Sequence, residues 1–269
     1  MILSVCTWNV NSVRVRLPGL ARLAADRTPD VLCLQETKVE DALFPAAEIA
    51  AMGYPHQAIH GMKGYNGVAI LSRRPLSAPR PRSWCGRDDR RHLQVTVDLG
   101  GRGRDIALHN VYLPAGGDKP NPAVNPRFAH KLDFMRAQAD WWRDHRRQRR
   151  TVLVGDLNVA PLECDVWSHA RLKNVVTHTA VEVEHLDAMV AAGGWVDAVR
   201  RLIPPPEPVF TWWSYRTPQW DVANKGRRLD HLWVTPDLEP ALRGVDIVKE
   251  TRGWDPPSDH VPVIVEMEI

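Results

Sequence analysis

At 269 residues the chain is long enough to bury a large core, and its 44% hydrophobic and 25% charged content excludes a disordered or low-complexity protein. No run approaches the ~20 apolar residues of a membrane span, and residues 1–9 lack the charged-then-apolar pattern of a secretory leader, so no membrane partner is expected. The net charge of +3 permits an anionic partner without demanding one.

Ile2 to Trp8 reads as an opening strand that runs into Asn9-Val10-Asn11-Ser12. Leu17, Leu20, Leu23 and Ala24 recur at helical spacing, and Pro29-Asp30 closes that helix. Val31 to Leu34 repeats the opening arrangement, an apolar strand followed at once by Gln35-Glu36-Thr37-Lys38. Residues 41–52 read as helix, Asn66 to Leu71 as a strand, and the Pro- and Arg-rich stretch 72–91 as a surface loop. Gln94 to Leu99 and Ile106 to Tyr112 form a pair of strands joined through Gly100-Gly101-Arg102-Gly103. Tyr112 stands where an aromatic commonly marks a core edge.

After a loop over 116–126, the residues Phe128, Leu132, Met135, Ala139 and Trp142 mark one apolar face of a long helix. Arg143, Arg146, Arg147, Arg149 and Arg150 read as its solvated carboxyl end. Next comes Thr151-Val152-Leu153-Val154-Gly155-Asp156-Leu157-Asn158-Val159-Ala160-Pro161, a buried strand ended by Gly, with Asp156 and Asn158 just past it. In layered α/β proteins that edge is where ligands bind, although Gly, Asp and Asn also favour plain turns. Thr179 to Glu182 fits a capping box, and Gly193-Gly194 ends the helix it opens. Pro204 to Pro208 is too short a connector to divide the chain, so one domain over 1–269 is expected.

Phe210, Trp212, Trp213, Tyr215 and Trp220 are interleaved with Arg216 and followed by Lys225, Arg227 and Arg228. Aromatic faces with cations suit nucleic acid, while core packing would absorb one or two of the rings. Asp230 enters a strand through Leu232 and Val234, and Ser258-Asp259-His260 leads into the last one. The 28 Arg against 7 Lys suit phosphate, although genome composition gives the same bias. Cys6, Cys33, Cys85 and Cys164 have no metal-site or CxxC spacing, which fits a reducing cytoplasm.

Strand and loop ends thus carry Asn9, Glu36, Asp156 with Asn158, Asp230, and Asp259 with His260. These are mostly oxygen ligands. They suit a hard cation that shares its sites with water and phosphate, and zinc would call for more His or Cys. Hydrolysis of a phosphodiester needs a positioned water, a base and positive charge at the developing oxyanion, all of which this set supplies.

The motifs Thr7-Trp8-Asn9-Val10-Asn11-Ser12-Val13-Arg14, Leu34-Gln35-Glu36-Thr37-Lys38, Gly67-Val68-Ala69-Ile70, Gly155-Asp156-Leu157-Asn158-Val159-Ala160-Pro161, Arg228-Leu229-Asp230-His231 and Ser258-Asp259-His260 resemble, in order, those of the exonuclease III family of DNA repair nucleases. The resemblance implies a DNase I-like α/β fold, a four-layer α-β-β-α sandwich with two mostly antiparallel sheets. It implies Mg²⁺ as cofactor, with Mn²⁺ as a substitute, and Glu36 as principal ligand supported by Asn9 and Asp259. Asp156, Asn158 and His260 complete the implied metal surroundings. Tyr112 would contact the scissile phosphate, Asp156 would deprotonate the water, and Asn158 would bond that water or a phosphate oxygen. His260 would donate to phosphate with Asp230 holding its ring; an alternative assignment makes His260 the base. Trp212 would border an abasic-sugar pocket, and Arg14, Arg16, Lys38 and Arg216 would meet the DNA.

The implied activity is incision of duplex DNA 5′ to abasic sites, with 3′-to-5′ exonuclease and 3′-end cleaning, by a monomer in the bacterial cytoplasm at the nucleoid. The rivals are another phosphoesterase of the endonuclease, exonuclease and phosphatase superfamily, or a DNA-binding protein that has lost catalysis.

Overall fold

The computed structural model describes residues 1–101, 103–217 and 219–269; Arg102, in the expected Gly-rich strand connection, and Pro218 lie outside them. Among the described residues the strands are β1 (Ile2–Asn9), β2 (Val31–Gln35), β3 (His56–His60), β4 (Val68–Ser72), β5 (Leu76–Trp84), β6 (Arg87–Val97) and β7 (Ile106–Tyr112). They continue as β8 (Thr151–Asp156), β9 (Val196–Asp197), β10 (Trp212–Trp213), β11 (Gly226–Arg227), β12 (Asp230–Val234), β13 (Leu242–Ile247) and β14 (Val263–Glu268). The helices that matter here are α1 (Leu17–Asp26), α2 (Ala46–Ala51), α3 (Pro126–Asp144), α4 (His169–Leu172) and α5 (Ala180–Gly193).

Two six-stranded sheets have the orders β13-β14-β1-β2-β4-β3 and β5-β6-β7-β8-β12-β9. Between them lie Val5, Val31, Cys33, Ile70 and Val265 of the first sheet, against Val95, Leu108, Val152, Val154 and Leu232 of the second. The opposite faces bury Trp8, Leu32 and Leu34 under α1 and α2, and Val111, Leu153 and Trp233 under α3 and α5. This is the expected four-layer sandwich. Strands β2, β4 and β8 are covered on both faces, which is why they read as unbroken apolar runs rather than alternating ones.

Each sheet holds one parallel pair, β1 with β2 and β7 with β8. Asn9 is paired with Gln35, the neighbour of Glu36, and Tyr112 is paired with Asp156. Antiparallel β12 starts opposite, with Asp230 against Asp156. The carboxyl-edge argument therefore holds for the two parallel pairs that carry the polar groups, inside sheets that are otherwise antiparallel.

The stretch 72–91 is not a loop. It forms most of a long hairpin, β5 with β6, whose turn at Cys85-Gly86 has both residues at positive φ. Most of β5 is exposed and it forms the sheet edge, so Pro79 and Pro81 are tolerated and no apolar alternation announces the strand. Pro45 splits the expected helix over 41–52 into a short 3₁₀ turn, Asp41–Leu43, and α2. The apolar face of α3 is buried as expected, but α3 ends at Asp144, so of the basic cluster only Arg143 lies in its last turn. Thr179 and Glu182 form the reciprocal capping box of α5.

Gly155 lies inside β8 at φ +144, and a Cβ there would sit 1.8 Å from the Val111 carbonyl oxygen. Gly155→Ala is expected to cost at least about 4 kcal/mol, since strain and a backbone collision add. A urea midpoint equal to wild type would refute this account.

His92, His109 and His231 are fully buried. Trp84 Nε1 donates to His92 Nδ1 at 3.2 Å, and His92 Nε2 stands 2.9 Å from His109 Nδ1. Burial, with Arg82 nearby, pushes His92 down to about 3; burial and His92 hold His109 well below the imidazole range; burial and Arg228 push His231 down to about 4. The unfolded chain takes up these protons near pH 6.5 and the folded one does not. Stability is therefore present above that pH and falls as the pH drops toward 4, by about 1.4 kcal/mol per pH unit for each histidine. Urea unfolding at pH 7, 6 and 5 measures it; an unchanged midpoint would contradict the neutral assignment.

Candidate active site

The two sheets bring their polar strand ends to one edge. Asn9 is buried, and its Nδ2 donates both to Glu36 Oε1 and to Asp156 Oδ2, each at 2.9 Å. Its Oδ1 accepts from the Asn11 backbone at 3.0 Å. Asn9 thus clamps a carboxylate of one sheet to a carboxylate of the other. Tyr112 Oη donates to Glu36 Oε1 at 2.8 Å, and Lys38 Nζ pairs with Glu36 Oε2 at 2.8 Å. Burial opposes ionisation of Glu36, but Lys38, Asn9 and Tyr112 outweigh it and hold the carboxyl below its usual range.

His260 Nδ1 donates to Asp230 Oδ2 at 2.8 Å, leaving Nε2 to face Asp156 Oδ2 at 3.6 Å. Thr211 Oγ1 also donates to Asp230 Oδ2, at 2.6 Å, so the oxygen that receives the ring N–H is fixed by a second donor. Burial disfavours the imidazolium, yet Asp230 and Asp156 push His260 up to about 10. Burial raises Asp156 to about 7, helped by Asp230 and Glu36 and opposed by His260 and Asn9.

Glu36, Lys38, Asn11, Ser12 and Asn158 are non-glycine residues in the left-handed region. Such strain persists only where the surroundings over-determine it, and it clusters at functional sites. Asn158 is pinned through its N–H to Asp156 Oδ1 and through Nδ2 to the Leu113 carbonyl, both at 2.9 Å. The segment carrying Asp259 and His260 is stitched to β1: Ser258 Oγ donates to the Asn9 carbonyl at 2.7 Å, and Trp8 Nε1 to the His260 carbonyl at 3.1 Å.

A groove of about 540 Å³ opens over these groups, lined by Glu36, Tyr112, Asp156, Asn158, Asp259 and His260. Its farther wall holds Trp212, Arg216, Lys225, Arg227, Trp167 and Thr177. Arg227 lies over the Trp212 ring at 5.2 Å and Lys225 over Trp167 at 5.3 Å. Trp212 Nε1 donates to Asp259 Oδ2 at 2.9 Å. Trp213 is core, and Tyr215 lies outside the groove lining. Arg16 is engaged by the carbonyls of Pro257 and Asn11 and by Tyr215 Oη. Arg14 is exposed and does not line the groove. Sequence reasoning misses Trp167; only its place just before α4, without any motif, could signal it.

The donor set fits a hard divalent cation. Carboxylates of Glu36, Asp156 and Asp259 share the groove, one atom each of Asp156, Asp230 and His260 lie within 4.8 Å of one another, and Asp230 Oδ1 is buried without a hydrogen-bond partner. Glu36 and Asp259 bring carboxylates to the same groove, Glu36 accepting from Asn9 and Tyr112 and Asp259 from Trp212 and Asn11, while Asn9 clamps Glu36 to Asp156.

The sequence matches the Endonuclease/Exonuclease/phosphatase family over residues 6–260. A 3′ phosphatase from Neisseria, solved with a product DNA hairpin, is 32% identical with a TM-score of 0.89, covering 99% of this chain and 100% of that one. An AP endonuclease from Archaeoglobus fulgidus is 30% identical at TM-score 0.89, with the same coverage. Exodeoxyribonuclease III of Haemophilus influenzae is 27% identical over 97% of this chain and 98% of its own length. Motif order, sheet topology and these full-length likenesses agree, and the chain belongs to the endonuclease/exonuclease/phosphatase family, in its exonuclease III and AP endonuclease branch.

Proposed function

We propose that the protein is a Mg²⁺-dependent DNA repair hydrolase that incises duplex DNA 5′ to abasic sites and removes nucleotides and blocking groups from 3′ ends. The observation that carries this reading is the Asp230–His260 pair facing Asp156 beside Glu36 and Tyr112, in a groove walled by indoles and cations. The carboxylate Asp156 accepts the proton of the attacking water, and Asn158 orients that water or a phosphate oxygen. His260, kept cationic by Asp230, donates from Nε2 to a non-bridging phosphate oxygen, and Tyr112 contacts the same phosphate. Glu36 and Asp259, with Asn9 and Asp156, would hold Mg²⁺, which when bound would supply positive charge to the scissile phosphate.

Trp212 offers a face to a flipped-out abasic sugar. Arg216, Arg227 and Lys38 supply charge for the backbone. The Neisseria relatives, a 3′ phosphatase and a 3′-5′ exonuclease by name, favour 3′-end processing as a second activity of the same site. Among the described residues no helix is long and apolar enough to cross a membrane; a monomer working on bacterial DNA in the cytoplasm fits the reading. The test uses a labelled duplex with one stable abasic analogue beside an undamaged duplex with a recessed 3′ end, with and without Mg²⁺. Metal-dependent cutting of the first is expected; binding without cutting would leave a non-catalytic DNA-binding protein, and neither would point to another phosphoester.

A further inference from the structure

Three loops meet behind the groove: 113–117 after β7, 156–160 after β8, and 175–179 before α5. At their junction stands the side chain of Lys131, from the apolar face of α3 between Phe128 and Met135, with none of its surface exposed. Its ammonium has three donors and three acceptors: the Asn158 carbonyl at 2.7 Å, the Ala115 carbonyl at 3.4 Å, and the carboxylate of Glu182. Burying an ammonium costs several kcal/mol unless it is fully paired, and apolar residues of equal volume commonly pack as well. A packing role alone does not explain a lysine here.

The partners show what the charge holds. Asn158 sits at φ +52, a conformation that a non-glycine residue keeps only under constraint. Its N–H is bonded to Asp156 Oδ1, its Nδ2 to the Leu113 carbonyl, and its own carbonyl to Lys131. Among the described residues no hydrogen bond engages Asn158 Oδ1, and Asn158 lines the groove. On its other side, Glu182 accepts from the Thr177 N–H at 2.9 Å and from Thr179 Oγ1 at 2.7 Å. Thr177 in turn accepts from Ala160 N–H and from Arg227 Nη1, each at 2.7 Å.

We propose that Lys131 is a positioning residue for phosphodiester hydrolysis. Its ammonium locks the left-handed Asn158 turn, and thereby aims the Asn158 side-chain amide into the groove. It never meets the substrate. The inference rests on the hydrolytic reading of the groove given above.

Lys131→Met combined with Glu182→Gln exchanges the ion pair for neutral groups of similar size. The folded variant is expected to bind the abasic-analogue duplex within about threefold of wild type while kcat falls about 10²-fold, the scale of a misplaced reacting group. In an Asn158→Ala background the same exchange is expected to change kcat less than about threefold, because the amide it aimed is gone. Lys131→Gln with Glu182→Gln, whose amide can donate to the Asn158 carbonyl, is expected to recover much of the loss.

A kcat within about threefold of wild type in the Met variant, or the full loss repeated in the Asn158→Ala background, overturns the proposal; a merely structural pair gives one or the other. If the exchange does not fold, Gly116→Ala takes its place, since its methyl would stand 2.9 Å from Lys131 Cδ and displace the side chain with its charge intact. Its kcat loss is measured in the same two backgrounds, where a loss confined to the Asn158 background supports the proposal and any other pattern overturns it. Wild type inactive on every duplex sinks the functional reading, whereas an exchange variant as active as an active wild type sinks this inference alone.

Discussion

Asp156→Asn is expected to lower kcat on the abasic-analogue duplex by about 10³- to 10⁴-fold, the range of a lost general base, with duplex affinity little changed. The reason lies in the contacts. Asp156 Oδ1 accepts from the Asn158 N–H, so the new amide would place its oxygen there and its NH₂ where Oδ2 now accepts from Asn9 and faces His260. Two donors then confront a third, and no atom is left to take a proton from water. The groove wall of Trp212, Arg216, Lys225 and Arg227 is untouched, so binding survives. Turnover within tenfold of wild type would move the base role to His260.

Glu36→Gln is expected to reduce activity at limiting Mg²⁺ by about 10²- to 10³-fold, equivalent to the several kcal/mol a metal contributes, and to recover in part as Mg²⁺ is raised. Asn9, Tyr112 and Lys38 all donate to the Glu36 carboxylate, which stays ionised in their company. A Gln offers one acceptor oxygen to these donors and turns its NH₂ toward one of them. Half-maximal activation measured across a Mg²⁺ titration decides the matter; an unshifted midpoint would remove Glu36 as the main ligand.

Much of this arrangement is legible in the sequence, for a physical reason. Asn9, Glu36, Tyr112 and Asp156 stand at the carboxyl ends of largely buried strands, and Asp230 and Asp259-His260 just before buried ones, so the apolar run and the polar residue beside it announce each other. The pairing of Tyr112 with Asp156 across parallel strands follows from that pattern once the layers are known. The hairpin over 76–97 is illegible because both its arms expose polar side chains and β5 carries Pro79 and Pro81, features that a loop shares. Lys131 escapes notice because lysines are normally solvated. The available signal is its spacing, three residues after Phe128 and four before Met135, on a buried stripe that is apolar apart from Gln138. Glu182 reads as half of a capping box, and nothing local reveals that the same carboxylate also neutralises a buried cation. Arg228 belongs to a motif, but its partners Asp165 and Asp197 lie far off in sequence and only the fold shows them.

The seam between β1 and the Ser258–His260 segment has a further consequence for when the protein becomes active. Trp8 and His260 are 252 positions apart in sequence yet joined by a hydrogen bond, and β1 and β14 pair antiparallel along six residues. Contacts of such separation form late, because the intervening chain must be ordered first. A chain emerging from the ribosome carries Asn9, Glu36 and Asp156 long before it carries His260, and its first strand waits unpaired on the β14 side. Cleavage of nucleic acid at this site therefore waits until His260 has been made and its seam to β1 has closed.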